Sequence, residues 1–270
     1  ANLPEGSATE DAALFTKSYG AQKPALAARV SFAIGAHENE KGDFASARKK
    51  LADALPSIDR YATLDVQIQA HAMLGRAYDK LHMPSQAQAE YSKVRTAWSN
   101  PEAAVKKLSD ATPDEAERSR ILGKTLTAVG EALFYFADQK KAEADRIKFP
   151  VYTGSGEKND VLRHVNTKVV EWVKKKRAAI EEADKEYRKI ANLMPAPQPK
   201  WTVAGASRVG QMWSKFVAEF RAAPIPKEWM QNGPHPTIPD LTWEELRARY
   251  YEELDRVSEP QKLQARAAYE

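Results

Sequence analysis

Small and large side chains recur at fixed spacing in the segment HAMLGRAYDKLHMPSQAQAEY, residues 71–91. Gly75 and Ala87 are small, and the large residues around them are Leu74, Tyr78 and Tyr91. A glycine lets a neighbouring helix approach its backbone closely, because it has no side chain. Pro84 suits the first turn of a second helix, where no partner is needed for a backbone N–H. The segment therefore predicts two closely packed antiparallel helices.

Two further segments repeat this pattern. In SFAIGAHENEKGDFASARKKL the matching residues are Ile34, Gly35, Ala47 and Leu51, with Glu38 in place of the aromatic residue. In TAVGEALFYFADQKKAEA they are Val129, Gly130, Leu133 and Ala142, and Arg146 follows where an apolar residue is expected. Glycine is otherwise scarce and alternating strand patterns are missing, so the chain is predicted to be all-α, with three helical hairpins.

The three copies resemble the tetratricopeptide repeat family, whose helical hairpins stack into a solenoid. The resemblance covers about residues 25–150. The segments WTVAGASRVGQMW, APIPKEW and EELDRVSEPQKLQARAAYE are similar to the C-terminal portions of large envelope tetratricopeptide proteins of gliding, predatory bacteria such as the myxobacteria, including gliding-motility components. This second similarity implies a periplasmic or outer-membrane-associated protein. The first residues, ANLPEGSATEDAALF, lack the pattern of an export signal.

The second half of the chain predicts longer helices separated by prolines. A single amphipathic helix is expected over 159–194, with Asn159 or Asp160 as its N-cap. PAPQPK should end it, and a shorter helix should follow over 203–223.

The proline-rich segment PIPKEWMQNGPHPTIPD predicts an extended connection pinned by Trp229, and the last helix should begin at Asp240 or Thr242. The expected organisation is a tetratricopeptide-like solenoid over 1–150, followed by a long helix and C-terminal packing helices over 151–270. Both parts are expected to pack as one continuous α-solenoid.

Composition narrows the possible chemistry. The chain has no cysteine, which excludes thiolate catalysis and disulfides. Its five histidines lack metal-ligand spacing and are expected on the surface or in turns. Its 41 basic and 37 acidic residues are interspersed, which argues against a nucleic-acid partner, and no segment is apolar enough to span a membrane. Four of the six tryptophans flank the proline-rich connections, which favours packing of those connections. We therefore predict no enzyme activity, cofactor or metal.

The resemblance implies a binding groove lined by the first helix of each hairpin. Residues at the second, fifth, ninth and twelfth positions commonly face this groove, and they include Ala36, Ala72, Asp79 and Glu131. The candidate partner-binding residues are Arg29, Phe32, Asn39, Gln69, Arg76, Lys124, Thr127 and Phe134. Phe32 and Ala36 stand where relatives that clamp a carboxylate have lysine and asparagine. A protein or peptide without that carboxylate requirement is therefore the implied partner.

Three hypotheses about function follow. The first is a non-enzymatic scaffold that binds a protein or peptide in a bacterial envelope complex, with gliding motility as the process that the second similarity suggests. The second is a superhelical accessory region of a larger envelope enzyme, such as a cell-wall lyase. The third is binding of an anionic polymer by the basic run from Lys174 to Arg177.

Overall fold

The computed structural model describes residues 5–268, and within that range the chain is all-α. The helices are α1 (Glu5–Tyr19), α2 (Pro24–Lys41), α3 (Phe44–Tyr61), α4 (Leu64–Lys80), α5 (Pro84–Ala97), α6 (Pro101–Ala111), α7 (Glu115–Arg146), α8 (Lys158–His164), α9 (Val170–Ala191), α10 (Pro199–Phe220) and α11 (Trp243–Ala267). A π-helical turn at Val165–Val169 joins α8 to α9, and a short 3-10 helix spans Lys227–Met230.

The chain forms two compact units. The first comprises the chain up to Phe136 together with Ile190–Trp201. The second comprises Ala137–Lys189 and the chain from Thr202 onward. Residue 150, where the sequence predicts a domain boundary, lies inside the second unit.

The first two predicted hairpins are formed by α2 with α3 and by α4 with α5. Gly42 ends α2 with a left-handed φ of 82°, and the Asp43 side chain caps α3 by accepting a hydrogen bond from the Ser46 N–H. A Cβ added to Gly35 would lie 2.6 Å from the Leu51 side chain. In the second hairpin Pro84 begins α5, as predicted.

The prediction of a third hairpin is wrong. The segment that was expected to turn is part of α7, which continues without a break for 32 residues. The stretch from Ala137 to Lys141 contains no glycine or proline, and alanine, glutamine and lysine all favour the helix. Gly130 still permits a close approach, but its neighbour is Trp201 at the start of α10, 2.7 Å from an added Cβ.

The core of the first unit lies among α4, α5, α6 and α7. Tyr91 is 3% exposed, and its ring lies 4.6 Å from that of Tyr135. Leu193, in the connection between α9 and α10, is buried in the same core. The core residues with the least exposure are Ile68, Ala72, Ala87, Val94, Leu126, Val129 and Ala132. The connection after α9 is therefore part of the first unit.

The helices of the second unit begin and end differently from the predictions. The N-cap of α8 is Glu157, not the predicted Asn159 or Asp160. The Asp160 carboxylate accepts hydrogen bonds from the Tyr152 hydroxyl and the Ser155 N–H in the preceding loop instead. The predicted single helix over 159–194 contains the π-helical turn, where β-branched residues are frequent, and it ends at Ala191.

The C-terminal helices start at proline and threonine. Helix α10 begins at Pro199, four residues earlier than predicted, since proline is tolerated in a first turn. Thr242 caps α11 in a reciprocal capping box with Glu245, which confirms one of the two predicted starts. Trp229 packs against Tyr250 at a ring distance of 5.7 Å and so holds the proline-rich connection to α11.

Candidate binding cleft

Helices α2, α4 and α7 line a cleft of about 290 Å³, and all of its lining residues belong to the first unit. Each of these helices is the first helix of one of the three aligned sequence copies. The lining residues are Phe32, Ala36 and Glu40 on α2, Gln69, Ala72, Met73 and Arg76 on α4, and Lys124, Thr127, Ala128 and Glu131 on α7. The lining is mixed, with aliphatic and aromatic side chains beside two acids and two bases.

An ion pair between Arg76 and Glu131 lies in this cleft. The Arg76 Nε donates to Glu131 Oε1 at 2.7 Å, and its Nη2 donates to Glu131 Oε2. The Tyr91 hydroxyl also donates to Glu131 Oε1, at 2.9 Å. Glu131 is only 6% exposed, so these bonds compensate a carboxylate that has lost most of its water. The two charges neutralise each other.

These hydrogen bonds and burial shift the pKa values of Arg76 and Tyr91. The hydrogen bond to Glu131 raises the pKa of Arg76, so its positive charge is fixed. Burial, followed by the nearby Glu131 charge, raises the pKa of Tyr91 far above its ordinary value, so its hydroxyl remains a donor. Arg76 and Tyr91 therefore both act as hydrogen-bond donors to Glu131 near neutral pH.

Asn39 joins α2 to this network. Its side-chain Nδ2 donates to the Met73 carbonyl at 2.8 Å, and its Oδ1 accepts from Arg76 Nη1 at 3.1 Å. Asn39 is 3% exposed, so it holds α2 against α4 beneath the surface of the cleft.

Five of the eight candidate partner-binding residues line the cleft: Phe32, Gln69, Arg76, Lys124 and Thr127. The other three do not. Arg29 is exposed on α2 outside the lining, and Asn39 is buried as described. Phe134 packs against the Trp201 ring at 5.2 Å. Its expected contact surface is therefore occupied by another part of the same chain.

The segment that covers Phe134 runs from Met194, in the connection after α9, to Trp201 in the first turn of α10. The Trp201 indole donates to the Thr127 carbonyl at 2.9 Å, and the Thr127 hydroxyl lies 3.1 Å from Gln198 Oε1, to which it donates. Trp98 donates to the Met194 carbonyl at 3.1 Å. Tryptophans beside the proline-rich connections were the sequence signal for this packing. The groove-facing side of α7 thus holds a polypeptide segment.

Glu131 was expected to face the groove but was not among the eight candidate partner-binding residues, and Glu40 was in neither group. A signal for Glu131 existed in the aligned copies, because Ala36, Arg76 and Glu131 each follow the repeated glycine by one position. Equivalent positions on neighbouring helices lie side by side, so the opposite charges of Arg76 and Glu131 could have predicted the pair. Glu40 lies beyond the positions considered, and no sequence signal singled it out.

Two other charged clusters have structural roles. His71 is 7% exposed, contrary to the prediction of surface histidines, and its two ring nitrogens lie 2.6 Å from Glu90 Oε2 and 3.0 Å from Asp59 Oδ1. It links α4 to α5 and α3. Lys176 is 2% exposed, and its Nζ donates to the carbonyls of Ala144 and Ile147 at 2.9 and 3.1 Å. It therefore caps the C-terminal end of α7.

The basic run around Lys176 is largely neutralised. Lys175 pairs with Glu171 at 2.6 Å and Arg177 with Glu181 at 2.8 Å. With Lys176 buried, the run does not present the clustered free charge that an anionic polymer would require. These contacts remove the support for the polymer hypothesis.

Among residues 5–268, no group of three histidine or acidic side chains is arranged to hold a metal ion. Within the same residues, no helix has both the length and the apolar character needed to cross a bilayer. Comparison of the chain with protein-family models, curated proteins and solved structures finds no match in any of the three. The similarity to tetratricopeptide repeats therefore depends on the residues described above.

Proposed function

We propose that this chain is a non-enzymatic, tetratricopeptide-type scaffold that binds a polypeptide segment of a partner protein in the cleft of α2, α4 and α7. The observation that carries the proposal is the docking of the chain's own segment on α7. Trp201 supplies an indole hydrogen bond and ring contact to groove-facing residues, as an aromatic anchor of a partner would. The adjoining cleft is lined by Thr127 and Glu131 of the same helix, together with residues of α2 and α4.

The size and lining of the cleft favour a peptide over a small organic molecule. Its volume of about 290 Å³ lies at the lower limit of pockets that enclose whole small ligands, which are ~300–1,000 Å³. A peptide needs room for only one or two side chains, and Phe32 and Met73 give such side chains apolar contacts. Gln69 and Thr127 provide polar groups for a backbone.

The wider setting is also part of the proposal. An envelope complex, in the periplasm or at the outer membrane, is supported by the similarity of the C-terminal segments to envelope tetratricopeptide proteins. Gliding motility has the same support. The lining of the cleft supports peptide binding in any compartment.

The binding site can be tested by filling the cleft. Peptides selected by display against the protein are measured by fluorescence anisotropy with Ala36→Trp, which places an indole in the cleft. The matched control is Ala89→Trp, at an exposed position on α5 outside the cleft. We expect Ala36→Trp to weaken binding at least about tenfold, the loss caused by displacing a central anchor. Equal affinities of the two variants would refute the site, provided that both are folded by circular dichroism.

A further inference from the structure

Two exposed charges at the cleft form no salt bridge within residues 5–268, and each has only a through-space electrostatic interaction, with Arg76 or with Glu117. They are Glu40 on α2 and Lys124 on α7. The other two charges of the lining, Arg76 and Glu131, bind and neutralise each other. Glu40 and Lys124 therefore set the electrostatic character that an incoming segment meets.

The contacts between helices place these charges at opposite corners of the cleft. Between α4 and α7, Asp65 interacts with Arg120 and Arg76 with Glu131, so the two helices run parallel. Between α2 and its neighbours, Arg29 interacts with Glu117 and Asn39 binds Arg76, so α2 runs in the same direction. Along the helix axes, Lys124 therefore lies beside Gln69, and Glu40 lies closer to the C-terminal ends of the helices, beside Arg76.

Helix geometry gives the separation of the two corners. The axial offset is about six residues, or about 9 Å at a rise of 1.5 Å per residue. The lateral offset is two helix spacings of about 8–10 Å each. The backbones that carry the two charges are therefore roughly 20 Å apart, a distance that an extended peptide covers in about six residues.

Resting on the proposed function, we infer that the cleft binds an extended segment with one basic and one acidic residue about six positions apart, on either side of an apolar side chain. The basic residue faces Glu40 and the acidic residue faces Lys124. Residues an even number of positions apart project from the same side of an extended chain, so both charges point into the cleft together with an apolar anchor that lies two positions from one charge and four from the other. A segment with two like charges meets one repulsive corner.

The inference is tested with nine-residue peptides that share a leucine at position 4 and have their charged residues at positions 2 and 8, all on one side of the extended chain. Two carry one basic and one acidic residue, in either order, and the tighter of the two is used. Two others are doubly basic and doubly acidic. With the unaltered protein at low salt, the mixed peptide is expected to bind about two- to fivefold more tightly than either like-charged peptide, the range for one exposed ion pair.

Charge reversal supplies the decisive comparison. Glu40→Lys should make the doubly acidic peptide the best ligand, and Lys124→Glu should make the doubly basic peptide the best. The double variant should again prefer the mixed peptide. Lys106→Glu, an exposed change on α6 outside the cleft, should leave the order unaltered.

The outcomes separate this inference from the proposed function. If the ranking of the peptides does not follow the reversals, or if none of them binds while display-selected peptides are blocked by Ala36→Trp, the charge pattern is wrong and peptide binding in the cleft stands. If display-selected peptides are insensitive to Ala36→Trp as well, both are overturned.

Discussion

Replacing Gly35 with alanine tests the close packing of the first hairpin. A Cβ at this position would lie 2.6 Å from both Cγ and Cδ2 of Leu51 and 3.4 Å from its backbone nitrogen. Leu51 is fully buried, so its side chain has little room to move away. We expect the added methyl group to strain the contact between α2 and α3.

The size of the effect follows from two opposing terms. Overpacking a well-filled core costs about 1–3 kcal/mol. A Gly→Ala change inside a helix gains about 0.5–1 kcal/mol, because alanine loses less backbone entropy on folding. Gly123, inside α7, has no atom within 4 Å of an added Cβ, so Gly123→Ala receives the gain without the cost. The helix term cancels between the two variants, and Gly35→Ala should be less stable than Gly123→Ala by about 1–3 kcal/mol.

Urea unfolding followed by far-ultraviolet circular dichroism measures this difference. Both glycines belong to the first compact unit, so one transition reports both changes. Gly75→Ala should fall between them, because its Cβ would lie 3.1 Å from the Tyr91 ring, a smaller overlap. A Gly35→Ala protein as stable as Gly123→Ala would show that α2 and α3 do not meet closely at this glycine, and the hairpin assignment would be lost.

Three further changes test contacts elsewhere. Lys176→Met should destabilise the protein by about 1–3 kcal/mol in urea unfolding, because the carbonyls at the end of α7 lose their buried donor; Lys175→Met, at an exposed position, should change little. Trp201→Ala should cost about 2 kcal/mol through lost ring packing and the lost hydrogen bond, whereas Lys200→Ala should have a small effect, and equal effects would contradict the docking of the segment on α7. Burial raises the pKa of Glu90, but hydrogen bonds from His71 and Lys93 outweigh burial and hold the pKa below its ordinary 4.5. Glu90 therefore stabilises the fold above about pH 4.5 and loses this effect as the pH falls through its lower folded pKa, so the stability difference between the protein and Glu90→Gln should shrink in acid. A difference that stays constant from pH 7 to pH 3 would contradict this account.

The parts of the fold that could be predicted were those fixed by local rules. The first two hairpins have a glycine at the helix contact, and α5 begins with proline at the turn, so sequence alone located both hairpins. The third copy has the glycine but no turn residue, and α7 continues through it. A glycine at the helix contact therefore does not predict a hairpin when no turn residue follows it.

The sequence predicted which helix faces line the cleft, because residues three or four positions apart lie on the same face of a helix. Phe32, Gln69 and Lys124 occupy equivalent faces of their helices, and all three line the cleft. The pairing of Arg76 with Glu131 and the docking of Trp201 on Phe134 were not predicted, since both join residues more than fifty positions apart. The aligned copies place Arg76 and Glu131 at equivalent positions, and tryptophans flank the prolines, but the residues that these side chains contact are decided by tertiary packing.

The repeated glycine explains why the cleft forms even though the third hairpin does not. Each glycine faces a bulky side chain, which is Leu51, Tyr91 or Trp201. The next residue on an α-helix is rotated by about 100°. When the glycine packs against its bulky neighbour, the side of the helix on which the following residue lies is therefore fixed. That residue is Ala36, Arg76 or Glu131, and all three line the cleft. Because Trp201 gives Gly130 the same kind of neighbour that a second helix gives the other two, α7 keeps the rotation that brings Glu131 to Arg76.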